Sequence, residues 1–183
     1  MRLFTVLLFL LQSFFAFSQT SEIVKILNSE LRKEILARKG DRGNYNGEKF
    51  EVVKNFSIKD SLLTMTAVNS EGKEVGEMQT AMKILSIEVK KKSDYGEDFY
   101  TEKQEVDLQK IKAVVKDINI IFETEPNAVK ITQTKENGEK NIRTSDMFFL
   151  QLSYGKQNEY LAEDLVEVFR KAGYTIEKGF WYD

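Results

Sequence analysis

Apolar side chains recur every four residues from Ile23 through Leu27 and Leu31 to Ile35, and Val24 and Ile26 widen the stripe. That spacing predicts an amphipathic helix over about 22–38, with Ser21 as N-cap and Gly40 as stop. The run "GDRGNYNG" (40–47) reads as a loop. From Glu48 the period changes to two. Phe50, Val52, Phe56 and Ile58 share one strand face, with Lys54 the polar interruption. "KDS" (59–61) is expected to turn the chain, and Leu63, Met65 and Ala67 line the next strand. "NSEGK" (69–73) is a hairpin-type turn. Over 75–90, Met78, Met82 and Ile84 hold one parity while Leu85, Ile87 and Val89 hold the other, which predicts a bulge or sharp bend near Ile84–Leu85. "KKKSDYGED" (90–98) is read as a charged loop, and 99–106 as a weak strand. A further strand opens at Val114–Val115 and alternates through Ile118, Ile120 and Phe122. Val129 and Ile131 mark another, and Asn137-Gly138 is a strong hairpin signal.

The end of the chain is the most consistent part. Phe148, Leu150 and Leu152 form a last strand, and Asn158 is placed to cap a helix over about 158–172. Leu161, Leu165, Val168, Phe169 and Ala172 make its apolar face. Acidic groups crowd its start, Arg170 and Lys171 its last turn, and Gly173 stands where a left-handed cap is wanted. Strands that end in "MFFLQLS" and feed "NEYLAEDLVEVFRKAGY" resemble the pleckstrin-homology-like (PH-like) barrel over roughly Glu48 to Gly173. The resemblance implies that the helix plugs one open end of two nearly orthogonal sheets. The expected fold class is therefore α+β: an antiparallel β-barrel or two orthogonal sheets of about seven strands, capped by a C-terminal amphipathic helix, with an additional N-terminal helix. That helix and the tail "TIEKGFWYD" (175–183) depart from the PH-like pattern. The phosphoinositide-binding version uses a basic cluster in the first hairpin loop, and only Lys59 and Asp60 stand between the first two expected strands, so that function is not carried over.

Arg2, the apolar run 3–11 and Phe14 to Phe17 read as a signal peptide, with Ala16 and Ser18 as small residues at −3 and −1. Cleavage after Ser18 would leave 19–183 as one domain: helix about 22–38, barrel about 48–153, helix about 158–172 and aromatic tail 174–183. Of 27 Lys and Arg and 29 Asp and Glu, cleavage removes only Arg2, so the net charge moves from −2 to −3. No footprint for nucleic acid or an anionic membrane surface results, and no membrane insertion is expected after cleavage. An export signal on a chain without Cys fits a bacterial periplasm or exterior.

The sequence has no His and no Cys, which excludes imidazole relays, thiol nucleophiles and thiolate zinc sites. No nucleophile elbow, S-x-x-K or Gly-rich phosphate loop occurs, and no cofactor is expected. Asp94, Glu97 and Asp98 offer three carboxylates to a hard cation, but the spacing is not that of an EF-hand, and a solvated charged loop is the preferred reading. Glu159, Glu163, Asp164 and Glu167 read as the solvated face of the last helix. Asn55-Phe56-Ser57 matches a glycosylation sequon, and Ser61 in "DSL" resembles an O-glycosylation acceptor at a turn. Phe180, Trp181 and Tyr182 either fold back onto the body or dock a partner. The expectation is a non-enzymatic binding module for an unknown protein or small-molecule ligand. The alternatives are a barrel carrier of a small apolar ligand and a carboxylate-based glycan hydrolase.

Overall fold

The structure is a computed structural model that describes residues 2–40, 49–68, 70–93, 98–153 and 157–182. Over these residues it is an α+β fold of two helices and nine strands in two sheets. Helix α1 (Arg2–Gly40) leads into β1 (Phe50–Val68), β2 (Glu74–Lys92) and β3 (Phe99–Asp107). A 3₁₀ turn (Leu108–Lys110) precedes β4 (Ile111–Lys116), β5 (Ile120–Thr124), β6 (Val129–Lys135), β7 (Lys140–Ser145) and β8 (Met147–Phe149). Helix α2 (Tyr160–Lys171) and β9 (Glu177–Trp181) end the chain. One sheet runs β1-β2-β3-β6-β7 and the other β8-β5-β4-β9. All pairings are antiparallel except β4 with β9. Among the described residues the sheets do not close on each other, so of the two expected forms it is two sheets around a shared core, not a closed barrel.

Leu85, Ile87, Val89, Val106 and Ile131 bring the inner face of the larger sheet to that core, and Val114, Phe122 and Phe148 bring that of the smaller. Phe122 is the hub. Its ring lies 6.4 Å from Phe148 and 5.4 Å, edge on, from Phe169 of α2. Phe148 reaches Phe56 of β1 at 6.5 Å. Ile23, Leu27 and Leu31 of α1 are buried, as the four-residue spacing requires. The expected helix over 22–38 is the second half of a longer one. Helix α1 also supports β1 at a bulge: the pairing skips between Lys54 and Ser57, and Asn28 takes over the freed groups. Its Nδ2 donates to Phe56 O (3.0 Å) and its Oδ1 accepts from Phe56 N (2.9 Å).

Several strand features differ from the sequence reading. "KDS" does not turn: β2 pairs straight through it, Lys59 with Ile84 and Ser61 with Met82, and Lys83 Nζ lies 2.7 Å from Asp60 Oδ1. The turn described at 70–72 lies beyond it, with Gly72 at φ 77°. Nor is there a bulge at Ile84–Leu85, where the register is unbroken. The parity switch has another cause. Before Ile84, β2 has no second neighbour, because β3 pairs only from Ile84 onward. Residues 61–68 and 74–83 form a two-stranded arm clear of the core, and the apolar side chains change face there: Leu63 and Met78 are exposed. Finally, the strand expected to run from Val114 to Phe122 is two strands. Asp117–Asn119 reverses the chain, which leaves Ile118 in solvent.

Helix α2 follows its sequence signals at one end only. At its C-terminus Gly173 adopts φ 85°, Tyr174 N donates to Phe169 O (2.9 Å) and Gly173 N to Arg170 O (3.1 Å). That is a Schellman closure, sealed by the Phe169–Tyr174 ring contact at 6.3 Å. At its N-terminus Asn158 does not cap with its side chain. Its Oδ1 instead accepts from the buried Lys116 Nζ at 2.9 Å, an ammonium that the interior must neutralise or solvate.

Candidate functional site

The aromatic tail forms strand β9 at the edge of the smaller sheet, against β4. Gly179 makes the close approach possible, since a Cβ there would stand 2.5 Å from Val115 Cγ1. Strand alternation then splits the three aromatics. Trp181 packs against the core, with Lys116 Nζ 5.8 Å from its ring. Phe180 and Tyr182 are exposed and stack on each other at 5.4 Å. Truncation after Lys178 would strip half of β9 and uncover β4. The expected result is a loss of about 2–4 kcal/mol in urea unfolding, the scale of losing one large buried side chain. Unchanged stability with an altered sedimentation coefficient would mean that the tail serves association instead.

Of the three carboxylates read as a weak metal candidate, Asp94 and Glu97 lie outside the described residues, and Asp98 is exposed with its carbonyl bonded to Ser93 N at 2.8 Å. Among the described residues no group of acidic side chains could hold a metal ion. Ser61 is not in a turn but inside β1, half-buried opposite Met82; Asn55 is exposed beside the bulge. The acidic face of α2 is compensated by cations. Lys178 Nζ lies 2.6 Å from Glu159 and 3.3 Å from Glu163, and Arg170 lies 2.7 Å from Glu167. The Arg170 hydrogen bonds hold the Glu167 carboxyl down to about 2, far from the range of a general acid at neutral pH.

The structure brings together a set that the sequence reading did not. A cleft of about 510 Å³ opens where the end of α1 meets the β1–β2–β3 edge. Among the described residues, Arg38, Lys39, Lys49, Lys90 and Lys92 line it, with Phe50, Phe99 and a single carboxylate, Glu51. Two of these cations are seated on rings. The Arg38 guanidinium carbon sits 4.6 Å from the Phe50 centroid while Nη2 donates to Phe50 O, and Lys90 Nζ sits 4.8 Å from the Phe99 centroid. Arg38 Nη1 is buried without a hydrogen-bond partner among the described residues. Lys90 also reaches Glu136 at 3.1 Å. "KKK" (90–92) is not part of the expected charged loop but completes β2. Lys91 keeps the odd parity of Leu85, Ile87 and Val89 and turns inward, so Lys90 and Lys92 are carried to the cleft side. Continuation of that odd-number alternation was the available signal.

Inward, Lys91 meets a buried polar band. Its Nζ lies 3.3 Å from Glu102 Oε1, which also accepts from Gln104 Nε2 at 3.3 Å. Glu102 Oε2 accepts from Gln133 Nε2 at 3.1 Å, and Gln104 Oε1 accepts from Phe149 N at 3.0 Å. Among the described residues no helix is long and apolar enough to cross a membrane. Comparison with protein families, with curated proteins and with solved structures gives no match to this chain.

Proposed function

We propose that the chain is an exported, non-enzymatic binding module of a bacterial envelope or exterior, with PH-like sheets and helix as its scaffold. The observation that carries this reading is the cleft at Arg38, Phe50 and Phe99, a concavity of the size that takes one small ligand. The buried carboxylate Glu102 is engaged by Lys91, Gln104 and Gln133, which favours a structural role over a catalytic one. The space between the sheets holds Phe122, Phe148 and Phe169, which favours recognition at the surface over carriage inside. Export rests on the N-terminal apolar segment and its small-x-small boundary. The test is a thermal-shift screen of the purified chain against anionic, cationic and neutral small molecules and soluble glycans, with product analysis alongside. Saturable stabilisation by one class, with no product formed, is the expected result. Turnover of a glycan that Glu102→Gln abolishes would overturn the reading.

A further inference from the structure

We infer that the cleft binds an anionic amphiphile: one phosphate or carboxylate group joined to an acyl or aryl body. This rests on the binding-module reading and names the ligand of the same site. Charge gives the head group. Among the described residues, five cationic side chains converge on the cleft against one lining carboxylate, on a chain whose formal charge is −2. Such convergence raises the local potential and attracts anions. Arg38 contributes a planar fork already oriented by Phe50, and its buried Nη1 lacks an acceptor among the described residues. A small rotation of the guanidinium towards a bound anion would relieve the cost of that unpaired donor. The walls give the body. Phe99 is exposed on one side, Phe50 forms the floor, and lysine stems supply apolar length between them. A bare inorganic anion would leave those walls unused, whereas a ligand with both parts uses the whole volume.

Isothermal titration of the full chain with decyl phosphate, below its critical micelle concentration, tests the assignment. Expected is saturable one-to-one binding that weakens with added salt. Inorganic phosphate should bind at least about 10-fold more weakly, the equivalent of ~1.4 kcal/mol of lost apolar contact. Decyltrimethylammonium should not bind. The exposed pair Lys39→Glu/Lys49→Glu should weaken decyl phosphate by at least about 10-fold. Lys112→Glu/Lys130→Glu, on exposed positions outside the cleft lining, makes the same change in net charge and should leave binding intact. Equal binding by the Lys39/Lys49 variant at unchanged thermal stability, or equal binding of the cationic amphiphile, overturns the assignment. Co-sedimentation with phosphatidylglycerol vesicles without binding of free decyl phosphate also overturns it, in favour of a bilayer surface. If decyl phosphate fails while the thermal-shift screen finds another class, the ligand assignment falls and the binding-module reading stands.

Discussion

Phe122→Ala is expected to destabilise the protein by about 3–5 kcal/mol, the range for removing a fully buried aromatic ring. The site has little scope to collapse, because the ring is fully buried and wedged between two separate elements. Phe148 flanks it on β8, Phe169 meets it edge on from α2, and Phe148 passes the contact to Phe56 on β1. Loss of the ring therefore removes the aromatic contact between the C-terminal helix and the smaller sheet. A domain of this size has a total stability of about 5–15 kcal/mol, so the variant should unfold at a much lower urea concentration. Phe122→Leu keeps most of the volume and should lose clearly less. The measurement is the urea midpoint at constant slope. A shift under ~1 kcal/mol would show that α2 is not held by this contact.

What could be read from the chain without coordinates follows a physical division. Elements fixed by local chemistry were legible. Helix α2 announced itself by its apolar stripe, its charge gradient and Gly173, and the Asn137-Gly138 turn joins β6 to β7 with Gly138 at φ 85°. Both signals lie within a few residues of the structure they specify. Features that depend on which strand lies next to which were not legible. "KDS" carries turn-like residues, but pairing with β2 continues through it and holds it extended. Met78 and Met82 follow a clean alternation, yet nothing in the alternation says that β3 stops before reaching them. Asn158 has the right side chain and spacing for a cap, but a buried lysine 42 residues earlier competes for the same oxygen.

The candidate site was less legible still. Its cations come from three places in the chain, the end of α1, the start of β1 and the end of β2, and none of the three is a motif. Only topology sets Arg38 beside Phe50 and Lys90 beside Phe99. The aromatic tail, for which the sequence leaves both folding back and docking open, has one ring packed against the core and two in solvent. Strand alternation would have given that division had the tail been read as a strand.

Lys91→Met is expected to cost about 3 kcal/mol, although it replaces a charge with a side chain suited to an apolar interior. The reason is what it leaves behind. Glu102 is only 5% exposed, and its remaining partners are the Gln104 and Gln133 amides and an Arg143 guanidinium at 4.0 Å. Breaking a buried pair from one side strands the other charge, at about 3–5 kcal/mol. Removing both charges is different, because desolvation of two ions opposes their attraction. Lys91→Met/Glu102→Met should therefore recover at least half of the single-variant loss, a coupling that a double-mutant cycle in urea reads directly. If Lys91→Met stays within ~0.5 kcal/mol of the parent, the carboxylate has found solvent or a proton, and the polar band is not sealed. The pair also bears on the cleft, because Lys91 shares a strand end with Lys90 and Lys92. An inward anchor at Lys91 fixes the pleat and so the outward direction of its neighbours. The single variant should then weaken decyl phosphate binding as well as stability, while the double variant, with the strand end packed again, should restore both together.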